Sequence, residues 1–218
     1  MKKLGLSLLP VLAITLMLGG NAFAQNVGDN SYYFVTYYSN ANTSGAPDET
    51  LRIINDGDFA SAAPEGVENG TLWADIYVFD DSQEMRSCCS CALYADMMLS
   101  ESVNKELTAN EFTGRGQIAR GVIKVISSTT SDPTYVYGGA ALRGWMTHIQ
   151  ATTTTFPSGP GAAANAVEKG PWFVTEDALA DSNLTALEQS NLEALCSYGL
   201  TIGSGYGLCP CTPEDYDF

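Results

Sequence analysis

Cationic charge is scarce in this chain. Ten lysines and arginines stand against 25 aspartates and glutamates, with one histidine, for a formal net charge of −15 at pH 7. A surface this acidic is repelled by phosphate backbones and anionic headgroups, which sets aside nucleic-acid binding and adsorption to anionic membranes. The acids are scattered rather than blocked, the pattern of a solvated surface. A hydrolytic triad could draw only on the solitary His148, and no G-x-S-x-G accompanies it, so that reading has little support. Beyond the N-terminus no window approaches the roughly 18 apolar residues of a membrane-spanning helix. No internal repeat is present, and no cysteine precedes Cys88.

The single long apolar run lies at the start. Lys2 and Lys3 precede an apolar stretch over residues 4–18, and Asn-Ala-Phe-Ala closes it at 21–24. A charged start, an apolar middle and small residues at an A-x-A site predict a signal peptide over residues 1–24, cut after Ala24. No cysteine follows that cut, so a lipoprotein is not expected. The remaining 25–218 is expected to be one secreted domain, with 25–48 a loosely packed N-terminal segment and 212–218 an acidic tail. The chain is expected outside the cell or at its surface, or in a periplasm, with no membrane span once the signal is gone.

Patterning predicts a mainly β fold. Residues 32–38 are β-branched and aromatic, and 51–54 stop at the turn signal Asn55-Asp56-Gly57. Residues 72–79 alternate: Leu72, Ala74, Ile76 and Val78 on one face, Trp73, Asp75, Tyr77 and Phe79 on the other. The aliphatic set is expected to face a core. Further strands are predicted over 122–126 and 142–155, the latter from its Thr152–Thr155 run. Residues 156–170, rich in Pro, Ser, Gly and Ala, read as an exposed loop. One helix is predicted over 184–198, capped by Asp181 or Ser182, with Leu184, Leu187, Leu192 and Leu195 at near-helical spacing before Gly199. Short strands, turns and one late helix predict a single β-sandwich or jelly-roll-like domain.

The six cysteines fall into two clusters, Cys88, Cys89 and Cys91, then Cys196, Cys209 and Cys211. An even count in an exported chain points to disulfides. A bond between Cys88 and Cys89 would be strained, and bridges within Cys89–Cys91 or Cys209–Cys211 would be tight, because relaxed geometry needs Cα atoms about 4.4–6.8 Å apart. The first cluster is therefore expected to bond the second, which cysteine takes which partner being open. A thiolate metal site and free or redox-active thiols are the alternatives; against the metal, Cys-Cys-x-Cys is not the zinc spacing Cys-x-x-Cys, and no histidine lies nearby.

Residues 76–85, running into Cys88-Cys89-Ser90-Cys91, resemble an uncharacterised family of secreted bacterial proteins. So do 102–108, 143–148 and 203–211, which ends Gly207-Leu208-Cys209-Pro210-Cys211. The similarity spans roughly residues 50–211. It implies export and a cysteine framework, and brings no activity or catalytic residue.

The functional expectation is a secreted structural or adhesive protein of the cell exterior, envelope or matrix, whose partners are surface components or glycans. The alternative is a carbohydrate-binding module stacking sugars on strand aromatics. Trp73, Tyr77 and Trp145 are the foremost candidates, with Tyr32, Tyr33, Tyr37 and Tyr38 behind them, although such rings more commonly pack a core or a cross-strand pair. A third reading is a carboxylate hydrolase drawing on Asp75, Asp80, Asp81 and Glu84, which would need two acids facing each other across a cleft. His148 shares a strand face with Leu142 and Met146, the position of a part-buried structural histidine. No cofactor is expected. A calcium ion would find oxygens only around Asp80-Asp81 or Asp215 and Asp217, with no EF-hand pattern. The glycine-rich Gly203-Ser204-Gly205-Tyr206-Gly207 reads as a tight turn rather than a phosphate cradle.

Overall fold

The computed structural model describes residues 32–57, 70–112, 118–138, 142–155, 167–203, 205–211 and 216–217. The predicted signal segment 1–24 and most of the predicted 156–170 loop lie outside these. The described chain forms β1 (Tyr33–Tyr38), β2 (Thr50–Asn55), β3 (Leu72–Asp80), β4 (Met85–Leu93), β5 (Met98–Ser102), a π-helical turn (Val103–Leu107), β6 (Gly121–Ser128), β7 (Leu142–Thr155), β8 (Val167–Ala178), β9 (Ala180–Asp181), α1 (Ala186–Ile202) and β10 (Tyr216–Asp217). The strands make two five-stranded sheets, ordered β4-β3-β6-β1-β9 and β10-β5-β2-β7-β8. Every pairing between strands is antiparallel. The fold is a β-sandwich with one C-terminal helix and three disulfides, as the patterning predicted.

Alternation on β3 explains how three layers stack. Leu72, Ala74, Ile76 and Val78 join Leu51, Ile53, Leu99 and Met146 of the facing sheet in the main core. The opposite face of β3 is also buried, because Tyr77 and Phe79 pack with Tyr33, Ile126, Leu192 and Cys196 beneath α1. The helix thus makes a third layer on the outside of the first sheet. No described helix is long and apolar enough to cross a membrane.

Several boundaries differ from the sequence reading. The described part of 25–48 is integral to the fold: β1 pairs β6 along its whole length and β9 at Phe34 and Val35. Asp181 is in a strand, and the helix cap is Thr185, whose side chain accepts from the Glu188 amide at 3.1 Å. Gly199 does not end the helix, which continues to Ile202. Leu187 and Leu195 face solvent, and Leu192 alone of the four leucines is fully buried on α1's sheet side. The segment after Cys211 is not a free end, since Tyr216 and Asp217 pair with Leu99 and Met98 of β5.

Candidate functional site

The cysteine-bearing segment is strand β4, and strand geometry sorts its thiols. Cys88 lies opposite Tyr77, while Cys89 and Cys91 lie opposite Ile76 and Ala74. Cys88 therefore points to the helix side, and Cys89 and Cys91 point between the sheets. Cys88 bonds Cys196 of α1, Cys89 bonds Cys209, and Cys91 bonds Cys211, with Cα separations of 5.9, 5.4 and 5.4 Å. Adjacent Cys88 and Cys89 do not bond because a strand sends them to opposite faces. Among the described residues no cysteine is free.

β4 is the edge of its sheet, and the C-terminal segment covers that edge. The Cys88 amide donates to the Gly207 carbonyl at 2.8 Å, and Cys88 bridges Leu208 in parallel. The glycine-rich segment is shaped by Phe112. A Cβ on Gly199 would stand 2.4 Å from the Phe112 ring, on Gly203 3.2 Å and on Gly207 1.8 Å. These three positions recur every four residues and form a cup for one ring. Phe112 is itself fixed by its amide's bond to the Arg86 carbonyl at 2.8 Å. The buried Arg86 guanidinium pairs with Glu111, with Asp80 at 3.5 Å and with Glu84 at 3.7 Å.

The sequence-predicted ligand residues fare unevenly. Tyr77 is fully buried, its hydroxyl donating to the Pro133 carbonyl at 2.8 Å, and Trp73 is buried too. Neither offers a ring face to a sugar. Trp145 is half-buried on β7. Tyr33 and Tyr38 are buried, whereas Tyr37 is half exposed. The large exposed rings that residue type alone did not single out are, among the described residues, Tyr94, Tyr135, Tyr137, Phe173, Tyr198 and Tyr206.

His148 is 2% exposed and capped by the Tyr37 ring, stacked at 4.1 Å between centroids and 10° between planes. Its Nε2 lies 3.8 Å from Asp177, and its Nδ1 has no hydrogen-bond partner. Burial lowers its pKa, and Asp177 offsets only part of that. Next to it, Glu49 ties the two sheets together, accepting from the Ser39 amide at 2.8 Å and the Ile149 amide at 2.7 Å. Burial raises the Glu49 pKa against those bonds. The imidazole here is buried beneath the Tyr37 ring and has no open face for a reactant.

Of the four candidate acids, Asp80, Asp81 and Glu84 line one cleft, each held by a hydrogen bond or ion pair, and Asp75 lies apart from them. Asp80 Oδ1 accepts from the Ser82 and Glu84 amides at 2.9 and 3.0 Å, forming the β3–β4 turn, and Asp81 pairs with Arg120 at 2.8 Å. These groups line a polar cleft of about 620 Å³ together with Ser39, Asn40 and Arg86. Asp75 is elsewhere, on the helix side of β3 and wholly buried. Neither of its oxygens has a hydrogen-bond partner; the Ser90 and Ser128 hydroxyls face it without closing a bond. Desolvation pushes its pKa up to about 8, against the weaker opposing effect of those hydroxyls. Asp215 and the side chain of Asp217 lie outside the described residues. The one close gathering of metal-ligating side chains among the described residues is Cys89, Cys91 and Cys211, whose Sγ atoms lie within 4.8 Å of one another.

The remaining surface feature is α1. Leu187, Leu195, Tyr198 and Ile202 fall on one outward stripe, all exposed. Beside it, a groove of about 490 Å³ runs between the helix and the sheet, lined by Phe79, Val122, Leu192 and Leu195, with Lys124 paired to Glu188 at one side. The periodic leucines signalled this helix, but periodicity alone did not tell which of them would face out. No family model, curated protein or solved structure matches the chain.

Proposed function

We propose that the chain is an exported structural or adhesive protein of the cell exterior, acting through its surface and not by catalysis. The outward stripe of α1 carries this reading. Leu187, Leu195, Tyr198 and Ile202 are between 44% and 72% exposed, on a helix pinned to the sheet by the Cys88–Cys196 bond. Leu195, Tyr198 and Ile202 follow one another at helical spacing, with the exposed Asn191 between them and Leu187, and clustered exposed apolar side chains mark a contact surface. A helix fixed in advance spares its partner much of the ordering entropy of binding. Export is supported by the charged, apolar and A-x-A pattern of residues 1–24 and by bridges suited to an oxidising compartment. The test is capture of envelope components by the oxidised protein, compared with a variant carrying Leu187→Ser, Leu195→Ser, Tyr198→Ser and Ile202→Ser. Lost capture with unchanged circular dichroism is expected; undiminished capture would place the contact elsewhere.

A second reading, sugar binding, is favoured by one specific pair. Tyr135 and Tyr137 are each 66% exposed, while Val136 between them is buried and its amide bonds to Glu193 at 2.9 Å. Anchoring the middle residue holds both rings outward, as stacking on a saccharide requires. A glycan array separates the readings: binding abolished by Tyr135→Ala with Tyr137→Ala selects this one.

A further inference from the structure

Two of the three bridges lie side by side. Cys89–Cys209 and Cys91–Cys211 both fill the space between the sheets at the β4 edge, where the Sγ atoms of Cys89 and Cys91 are 3.9 Å apart. With Cys211 added, all three Sγ atoms fall within 4.8 Å. A zinc ion bound by four thiolates at about 2.3 Å holds neighbouring sulfurs about 3.8 Å apart, the edge of the tetrahedron. Before its bridges close, an exported chain carries these groups as thiols, and the same fold gathers three of them, with Cys209 adjoining the group through its place beside Cys89.

We propose that Cys89, Cys91, Cys209 and Cys211, in their reduced form, are a tetrathiolate site for a thiophilic divalent cation such as zinc, so that metal binding and bridge formation are alternative states of one cluster. Cys88 and Cys196 take no part, because β4 directs Cys88 to the opposite face of the sheet. The geometry needs little rearrangement. Cys89 and Cys91 are already spaced as neighbouring ligands, and Cys209 and Cys211 enter on one Cys-x-Cys segment from the other side. Opening each bond so that its sulfurs separate to ligand spacing is a side-chain movement. The buried Glu101 side chain lies beside the site, its Oε1 3.9 Å from Cys91 Sγ. Thiolate sulfur and a dry, close-packed surround select zinc or another soft cation over calcium or magnesium.

The interconversion balances. Each bridge takes two electrons and two protons from one dithiol, which leaves as its own disulfide, and yields two thiols. Binding one divalent cation then displaces the four thiol protons. The reverse needs an oxidant of the disulfide class, which removes the electrons and expels the ion.

The experiment uses the full mature protein and cobalt(II), then zinc. Oxidised protein is expected to show no thiolate spectrum. After reduction by a phosphine, which takes up one water oxygen per bridge, one equivalent of cobalt should give the intense visible bands of tetrahedral thiolate ligation. Cys88→Ala with Cys196→Ala should leave those bands intact, whereas Cys91→Ala with Cys211→Ala should weaken binding at least tenfold. Peptide mapping after brief reoxidation separates a formed site from capture by an unfolded chain. With zinc present, the Cys88–Cys196 bridge should form while the other four thiols stay free. Protection spread over all six cysteines, or bands that vanish with Cys88 and Cys196, would overturn the proposal.

Discussion

Asp75 is the residue at which burial and charge conflict most directly. It is 0% exposed on the helix side of β3, opposite Ser90 and Ile126, with no hydrogen bond to either oxygen. Asp132 and Glu193 approach from the 129–138 segment and from α1, and both raise its pKa further. The neutral acid is therefore the folded form up to about pH 8, whereas an unfolded aspartate ionises near about 3.9. Below that lower value both states are protonated, and the stability associated with the neutral buried acid is fully present. As pH rises toward the folded value, only the unfolded state gains by losing its proton, so stability falls across this window. Asp75→Asn removes the titration with little change of shape. Its thermal midpoint should match that of the parent near pH 4 and exceed it near pH 8, where the difference in stability is on the order of a few kcal/mol, since one pKa unit is about 1.4 kcal/mol. Equal midpoints at pH 8, measured by scanning calorimetry, would show that the carboxyl finds solvent or a partner. Sequence alternation placed Asp75 on the face opposite the aliphatic set, but not its burial, because that depends on a helix more than 100 residues away in the chain.

At the scale of elements, the sign of one substitution tests how α1 is seated. Gly199 has helical backbone geometry, so propensity alone says that alanine would gain about 1 kcal/mol there. Packing says otherwise: the new Cβ would meet the Phe112 ring at 2.4 Å. The ring cannot slide away, because Gly203 and Gly207 close on it from the following turns. Overpacking of this kind costs about 1–3 kcal/mol, which outweighs the propensity gain. Gly199→Ala should therefore lower the denaturant midpoint, and Phe112→Leu in the same chain should recover part of the loss. A stabilised single variant would mean that the cup is loose. The same residue shows what was legible in the chain. Strands β1, β2, β3, β6 and β7 were readable because their β-branched and aromatic runs or alternation match a sheet with a buried face. β4 was not, since Cys-Cys-Ser-Cys reads as thiol chemistry before it reads as a strand. β8 was hidden by Gly170-Pro171 and because its residues 173–178 are all exposed, so that no buried face imposes a pattern there. Gly199 looked like a helix stop because local sequence cannot show a ring arriving from Phe112.

For the whole molecule, the three bridges are not equivalent although their sequence separations are nearly equal, at 108, 120 and 120. Any one of them alone would close a loop worth about 4.7 kcal/mol in the chain-entropy account. Once Cys89–Cys209 is closed, the others close much smaller rings. Cys91–Cys211 then adds a ring of six residues, two short Cys-x-Cys segments already tied at one end. Cys88–Cys196 adds a ring through residues 196–209, near the 15-residue case worth about 3 kcal/mol. Removing the Cys88–Cys196 pair as alanines should therefore lower the thermal midpoint by roughly 6–12 °C, using about 2–4 °C per kcal/mol for a domain of this size. Removing the Cys91–Cys211 pair as alanines should cost chiefly the packing of two sulfurs, on the order of 1–2 kcal/mol. Full reduction should exceed both, because it alone releases the long closure between the β4 edge and the C-terminal segment. The ranking follows from topology and not from the individual bonds. Calorimetry of the two variants and the reduced protein checks it, and a larger loss from the Cys91–Cys211 variant would mean that packing at the sheet edge, rather than chain entropy, sets the stability of this end of the sandwich.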